Sequence, residues 1–93
     1  MRFSIPSNHP SLPGHFPGRP IVPGVVLLDQ VVAAIEAVHG ALPALRLPQV
    51  KFVQPLLPGE EADIVLDALP GARWKFRVLR DATVLASGEV VAE

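Results

Sequence analysis

Two side chains with proton-transfer chemistry flank a short, stiff stretch of this chain. His15 opens the run His15-Phe16-Pro17-Gly18-Arg19-Pro20-Ile21-Val22-Pro23-Gly24, and Asp29 follows five residues after its end. An imidazole exchanges a proton near neutral pH, and a fixed backbone aims that exchange at one atom. Pro17, Pro20 and Pro23 recur every third residue. Each fixes φ and removes an amide donor, so neither a helix nor a central strand runs through them. Read alone, His15 is open between a structural histidine and an acid-base group. Asp29 is open in the same way. At helical spacing its neighbours are Val25, Val26, Val32 and Ala33; enclosed by them it would be desolvated and keep a proton, as a general acid at neutral pH must. Alternatively, Asp29 and Glu36 mark the solvent face of a helix. A helix starting at Gly24 adds a third group. Its first amides lack intrahelical acceptors, and with no side chain on Gly24 the N–H groups of Gly24 and Val25 can polarise a carbonyl oxygen. Histidine, acid and amide dipole together suit proton transfer alpha to a carbonyl.

The remaining titratable residues point elsewhere. His9 sits in a polar loop and His39 at a helix end, both read as structural or solvent-facing. No two histidines have metal-ligand spacing and there is no cysteine, so neither a metal site nor a disulfide is expected. Four of the eight basic residues fall within 73–80. A hairpin turning at Leu69 to Gly71 would set Asp67 opposite Arg73 and Asp63 opposite Arg77 as cross-strand ion pairs, and attraction of an acidic partner is the alternative.

The elements that must position these groups follow from punctuation and periodicity. Arg2 to Ile5 reads as a brief edge strand ended by Pro6, and residues 6–23 as an ordered loop holding six of the eleven prolines. Gly24 to His39 is proline-free, apolar almost all round and closed by Gly40, which predicts a helix buried on most sides, with Asp29, Ala33, Glu36 and Ala37 as its polar or small stripe. Strand patterns follow over 45–54, bent near Pro48, then over 61–68 and 73–80 with clean alternation, and over 83–92, where Gly88 is expected to mark a bulge. One long helix followed by an antiparallel meander implies an α+β domain with a curved sheet around the helix.

Ninety-three residues make one domain. A chain of this length buries only about two thirds of its unfolded surface, yet 49% of its residues are hydrophobic and its mean hydropathy is +0.39. Self-association, a dimer above all, is the expectation. A net charge of -1 and a pI near 6.3 give no footprint for nucleic acid. The first ten residues lack the apolar core of a signal peptide, and the longest apolar run is interrupted by Asp29, Gln30 and Glu36, so a cytoplasmic protein without a membrane span is expected.

The ordered run from His15 to Val25, with an acid five residues after Gly24, resembles the signature of the FabZ/FabA-type β-hydroxyacyl-acyl carrier protein dehydratases. Val50-Lys51-Phe52, with Pro55 and Pro58-Gly59-Glu60 after it, is similar to that family's strand after the helix. The likeness spans roughly residues 3–92. It implies the hotdog fold, a central helix wrapped by an antiparallel sheet, with two sheets joined in a dimer. It further implies that His15 removes the α-proton of a 3-hydroxyacyl thioester and that Asp29 of the other subunit assists loss of the β-hydroxyl as water. Gly24 and Val25 would hold the thioester carbonyl by backbone amides, and the Ile21 carbonyl would orient the histidine. The product would be a trans-2-enoyl thioester, made without a cofactor from substrate on the phosphopantetheine of acyl carrier protein, in fatty acid or polyene and polyketide biosynthesis. The chain lacks the additional N-terminal structure of larger members and looks closer to the compact dehydratase-like proteins of aryl polyene clusters. Its acid is aspartate, as in the FabA-like branch, and Ala33 stands where a glutamine often follows the acid. Two alternatives share the fold: a hotdog thioesterase, whose own pattern lacks this histidine loop, and a partner subunit supplying part of a heteromeric dehydratase.

Overall fold

The computed structural model describes residues 1–6, 21–42 and 44–93. Among the described residues five strands and one helix follow in the order β1 (Arg2–Ser4), α1 (Gly24–His39), β2 (Leu45–Phe52), β3 (Glu61–Leu69), β4 (Arg73–Arg80) and β5 (Thr83–Ala92). All strand pairs are antiparallel and the sheet order is β1-β3-β4-β5-β2. The meander β3-β4-β5 forms the centre, and the two strands that precede it in sequence close the edges. The sheet's inner face packs on α1, which is the hotdog arrangement.

Alternation decides that face. Ala62 and Ile64 of β3 and Trp74, Phe76 and Val78 of β4 are buried against Val26, Leu27, Val31, Ala34 and Ile35 of the helix in one apolar core. The helix runs from Gly24 to His39 and is closed by Gly40, as its punctuation predicts. Gly40 adopts φ 106 and donates its N–H to the Glu36 carbonyl at 2.9 Å. That conformation is strained for any residue with a β-carbon. Glu36 is half-buried: its Oε2 accepts the Leu42 N–H at 3.0 Å, so it closes the turn after the helix. The exposed stripe is instead Val25, Asp29, Ala33 and Ala37, with Val38 beside it.

Two strands, β2 at the edge and β5 beside it, contain an irregularity with a physical reason. In β2 the register against β5 shifts between Arg46 and Gln49. Leu45 and Leu47 pack on the core before the shift and Val50 after it, so the extra residue at Pro48 keeps the leucines and the valine on one face. Proline has no N–H to contribute, which an edge strand tolerates. In β5 the bulge lies at Leu85, not at Gly88: Val78 faces Ala86 while Leu79 faces Val84. Leu85 and Ala86 are consequently both buried. Gly88 keeps regular register opposite Phe76 and Val50. Its role is close approach, since a Cβ there would lie 2.2 Å from the Gln49 carbonyl oxygen and 2.9 Å from the Phe76 ring.

The β3-β4 hairpin also differs from the sequence expectation. Its loop is Pro70-Gly71-Ala72, with Gly71 at φ 80 and Ala72 at φ 52. Including Ala72 moves the turn's centre by one residue and the register by two. Asp67 therefore faces Lys75, and Asp63 faces Leu79. The ion pairs join other strands: Arg2 of β1 reaches Asp63 and Glu61 of β3, and Arg73 of β4 pairs with Glu89 of β5. The reversal at Asp81-Ala82 between β4 and β5 is as expected, with Asp81 at φ 55.

Candidate functional site

The start of α1 faces an open groove of about 340 Å³, lined by Ile21, Val22, Gly24 and Leu27 on the helix side and by residues 52–56 on the sheet side. The N–H groups of Gly24 and Val25 have no acceptor among the described residues; the first capped amides are those of Val26 and Leu27, which reach the Pro23 carbonyl at 3.0 and 3.4 Å. A helix start with unsatisfied amides carries partial positive charge. The groove thus pairs a mainly apolar wall with a polar end suited to a carbonyl or carboxylate oxygen.

Pro23 ends the loop in an extended conformation, φ -60 and ψ 145, and sets the direction of the helix. One residue earlier, Val22 is buried and donates its N–H to the Leu56 carbonyl at 2.9 Å. Leu56 is itself fully buried. Residues 53–57, between β2 and the turn at Pro58-Gly59, form a strap along the groove's outer wall. Leu85, freed from the ladder by its bulge, accepts the N–H groups of Val53 and Gln54 at 2.8 and 3.2 Å.

The space beside Gly24 is filled. A Cβ at this position would lie 2.6 Å from Cζ of Phe52, so the absent side chain of Gly24 admits the Phe52 ring. The expected open approach to the Gly24 amide is thus lined by an aromatic edge in this chain. Phe52 is 52% exposed and closes the end of β2 over the helix start. In the sequence it stands out only within the Val50-Lys51-Phe52 likeness, not as a site residue. Its signal was available, because the residue shift at Pro48 puts Phe52 on the inner face together with Val50.

Asp29 is exposed and lies on the stripe with Val25, which is 63% exposed. Enclosure of this carboxylate by its neighbours within the chain does not occur, because α1 turns Val26 inward while Val25, Asp29 and Ala33 face outward. At about 100° per residue, Asp29 stands about 140° around the helix from Gly24 and about 160° from Leu27, the two helix residues that line the groove. Ile21 is half-buried at the groove's rim. His15 and His9, with the rest of residues 7–20, lie outside the described residues. His39 is exposed at the helix end with its ring 5.0 Å from that of Trp74 in an edge-on contact. Among the described residues no group of three His, Cys, Asp or Glu side chains is placed to hold a metal ion, and no helix is long and apolar enough to cross a membrane.

Comparison with known proteins places this arrangement. A 3-hydroxyacyl-(acyl-carrier-protein) dehydratase FabZ of Rhizobium rhizogenes is 35% identical over 100 residues, covering 97% of this chain and 61% of the relative. That of Bradyrhizobium diazoefficiens is 32% identical, covering 97% of this chain and 64% of the relative. The chain thus spans somewhat under two thirds of the length of these curated relatives. Among solved structures, the dehydratase heterocomplex ApeI:P from Xenorhabdus doucetiae superposes with a TM-score of 0.81 over 97% of this chain and 81% of the other, at 23% identity, a likeness of fold. The model of the ApeI-like family, described as ApeI dehydratase, matches residues 1–89. With all but the last few residues inside that match, the chain belongs to the ApeI-like dehydratase family.

Proposed function

We propose that this protein dehydrates a 3-hydroxyacyl thioester, presented on the phosphopantetheine of acyl carrier protein, to the trans-2-enoyl thioester. The observation that supports it most is the division of the chemistry around α1. The helix start opens into an apolar groove, while the acid one turn further on points away from that groove. Such a chain offers its amides to one site and its carboxylate to another, as a dimer with shared sites requires. In the proposed reaction the thioester carbonyl lies against the amides of Gly24 and Val25, where developing enolate charge is stabilised. His15, oriented by the Ile21 carbonyl, removes the α-proton. Asp29 of the other subunit protonates the departing β-hydroxyl, so that the Cβ–O bond breaks, the double bond forms and water leaves. No cofactor takes part, since the proton and hydroxyl recombine without a change of oxidation state.

The pairing surface we propose is the outward stripe of α1 together with the outer edge of β2, which has no strand beside it among the described residues. Val25, Val38, Phe52 and Val53 add exposed apolar surface there. A homodimer in the cytoplasm is the simplest assembly. The heterocomplex nature of the ApeI:P structure favours a second reading, in which the partner is a different hotdog chain.

The test is turnover of a short 3-hydroxyacyl thioester, on carrier protein and on N-acetylcysteamine, by the wild type, His15→Ala and Asp29→Asn. General acid-base groups contribute about 10²–10⁴-fold each, so each variant should lose that much. Mixing the two should restore part of the activity if sites are shared. A folded wild type that dehydrates none of these thioesters would refute catalysis by this chain alone.

A further inference from the structure

The strap 53–57 belongs to no strand ladder, yet it forms the groove wall and receives the Val22 amide. Its placement therefore depends on a few tethers. At one end the Leu85 carbonyl takes the amides of Val53 and Gln54. At the other, Arg80 Nη1 donates to the Pro55 carbonyl at 3.1 Å and to Glu60 Oε1 at 3.0 Å. The same Glu60 oxygen accepts the Leu57 N–H at 2.8 Å, and the Glu60 N–H donates to the Leu57 carbonyl at 3.1 Å. One guanidinium and one carboxylate thus close the Pro58-Gly59 turn, where Gly59 takes φ 85, and hold the strap from its far side. Between the two ends only the Leu56 side chain is buried, and its carbonyl meets Val22 two residues before the helix begins.

We infer that Arg80 and Glu60 are positioning residues, fixing the strap and, through the Val22–Leu56 hydrogen bond, the loop end and helix start that form the mouth of the groove. The kinetic part of this inference rests on the dehydratase reading; the structural part does not. The two side chains are 28% and 33% exposed, and an ion pair so exposed adds little to global stability. Its effect is local, because nothing else ties the Pro55 carbonyl or the Leu57 amide among the described residues. A reacting group displaced by about 1 Å loses about a hundredfold in rate, so loosening of this wall should reach kcat.

The experiment compares wild type, Arg80→Met, Arg80→Lys and Glu60→Gln by amide hydrogen exchange and by kcat and KM. In Arg80→Met the Val22 and Leu57 amides should exchange at least about tenfold faster while those of Val78 and Val90 keep wild-type rates. In the same variant kcat should fall about tenfold to a hundredfold with KM changed less than about threefold. Lysine can reach the same two oxygens, so Arg80→Lys should recover most of both. Wild-type exchange at Val22 in Arg80→Met overturns the inference, as does an equal rise at Val90, which would mean general destabilisation. If Arg80→Met does not fold, Glu60→Gln, equal in shape and without charge, takes its place with the same criteria. An inactive wild type would refute the dehydratase reading, and the exchange rates would still decide whether the pair fixes the strap.

Discussion

Replacing Gly24 by alanine tests how the helix start and the Phe52 ring share their space. The new Cβ would sit 2.6 Å from Cζ and 2.9 Å from Cε1 of Phe52, whereas ordinary contact begins at 3.4 Å. The difference, about 0.8 Å, must be taken up by the ring or by the first turn of the helix. Overpacking of this kind costs about 1–3 kcal/mol, and alanine's better helix propensity offsets up to about 1 kcal/mol. A net loss of about 1 kcal/mol follows, which for a domain of this size lowers Tm by roughly 4–8 °C. The same displacement at a reacting carbonyl should reduce kcat/KM by about a hundredfold. Thermal unfolding at fixed protein concentration and thioester turnover measure the two effects separately. Combining Gly24→Ala with Phe52→Leu should recover the stability, because the smaller side chain leaves room for the methyl group. Activity recovered along with it would assign the loss to the displaced ring; activity still low would assign it to the methyl obstructing the amides. A Gly24→Ala protein with Tm within about 1 °C of wild type and kcat/KM within about twofold would refute the steric reasoning altogether.

Three further outcomes are expected. Gly88→Ala should destabilise the sheet by about 2 kcal/mol in urea unfolding, because a Cβ 2.2 Å from the Gln49 carbonyl forces β2 and β5 apart; an unchanged midpoint would show that β2 yields without cost. Glu36→Ala removes the acceptor of the Leu42 amide and should lower stability by about 1 kcal/mol, with Glu36→Gln losing less; calorimetry of the two variants checks the order. Val25→Lys, at an exposed position, should leave the fold's circular dichroism intact but shift sedimentation toward the monomer, and an unaltered sedimentation profile would remove the stripe of α1 from the pairing surface.

Much of this architecture was legible because its rules are local. Gly24 and Gly40 bracket the helix, and the alternation of Trp74, Phe76 and Val78 against Arg73, Lys75 and Arg77 assigns the faces of β4. The bend at Pro48 was legible for the same reason. What escaped depends on partners distant in sequence. Gly88 reads as a bulge along the chain, but its meaning is set by Gln49 and Phe76 on two other strands. The Leu85 bulge has no turn residue to announce it. Ala72 at positive φ reset the hairpin register, which a Pro-Gly dipeptide alone does not disclose. In the candidate site, Ile21 and Gly24 line the groove while the side chains of Val25 and Asp29 face outward, and that direction is a matter of which helix face meets the sheet. The Arg80–Glu60 pair joins residues distant in the chain and leaves no local trace in sequence, whereas the inward direction of Phe52 follows from the shift at Pro48.

The order of strands in the sheet bears on how the molecule is made. The central meander β3-β4-β5 joins neighbours through short loops, while β1 and β2 reach their partners across long stretches of chain. Contacts of short separation form early and those of long separation late. On a ribosome the helix and both edge strands emerge before the surface they need, so α1 waits with its apolar side uncovered until β5 has been synthesised. Folding is then expected to start at the chain's later half and draw the earlier half onto it. Trp74 of β4 would report that first stage by fluorescence, ahead of the docking of α1, and during synthesis the uncovered helix would be a target for chaperones that bind apolar segments.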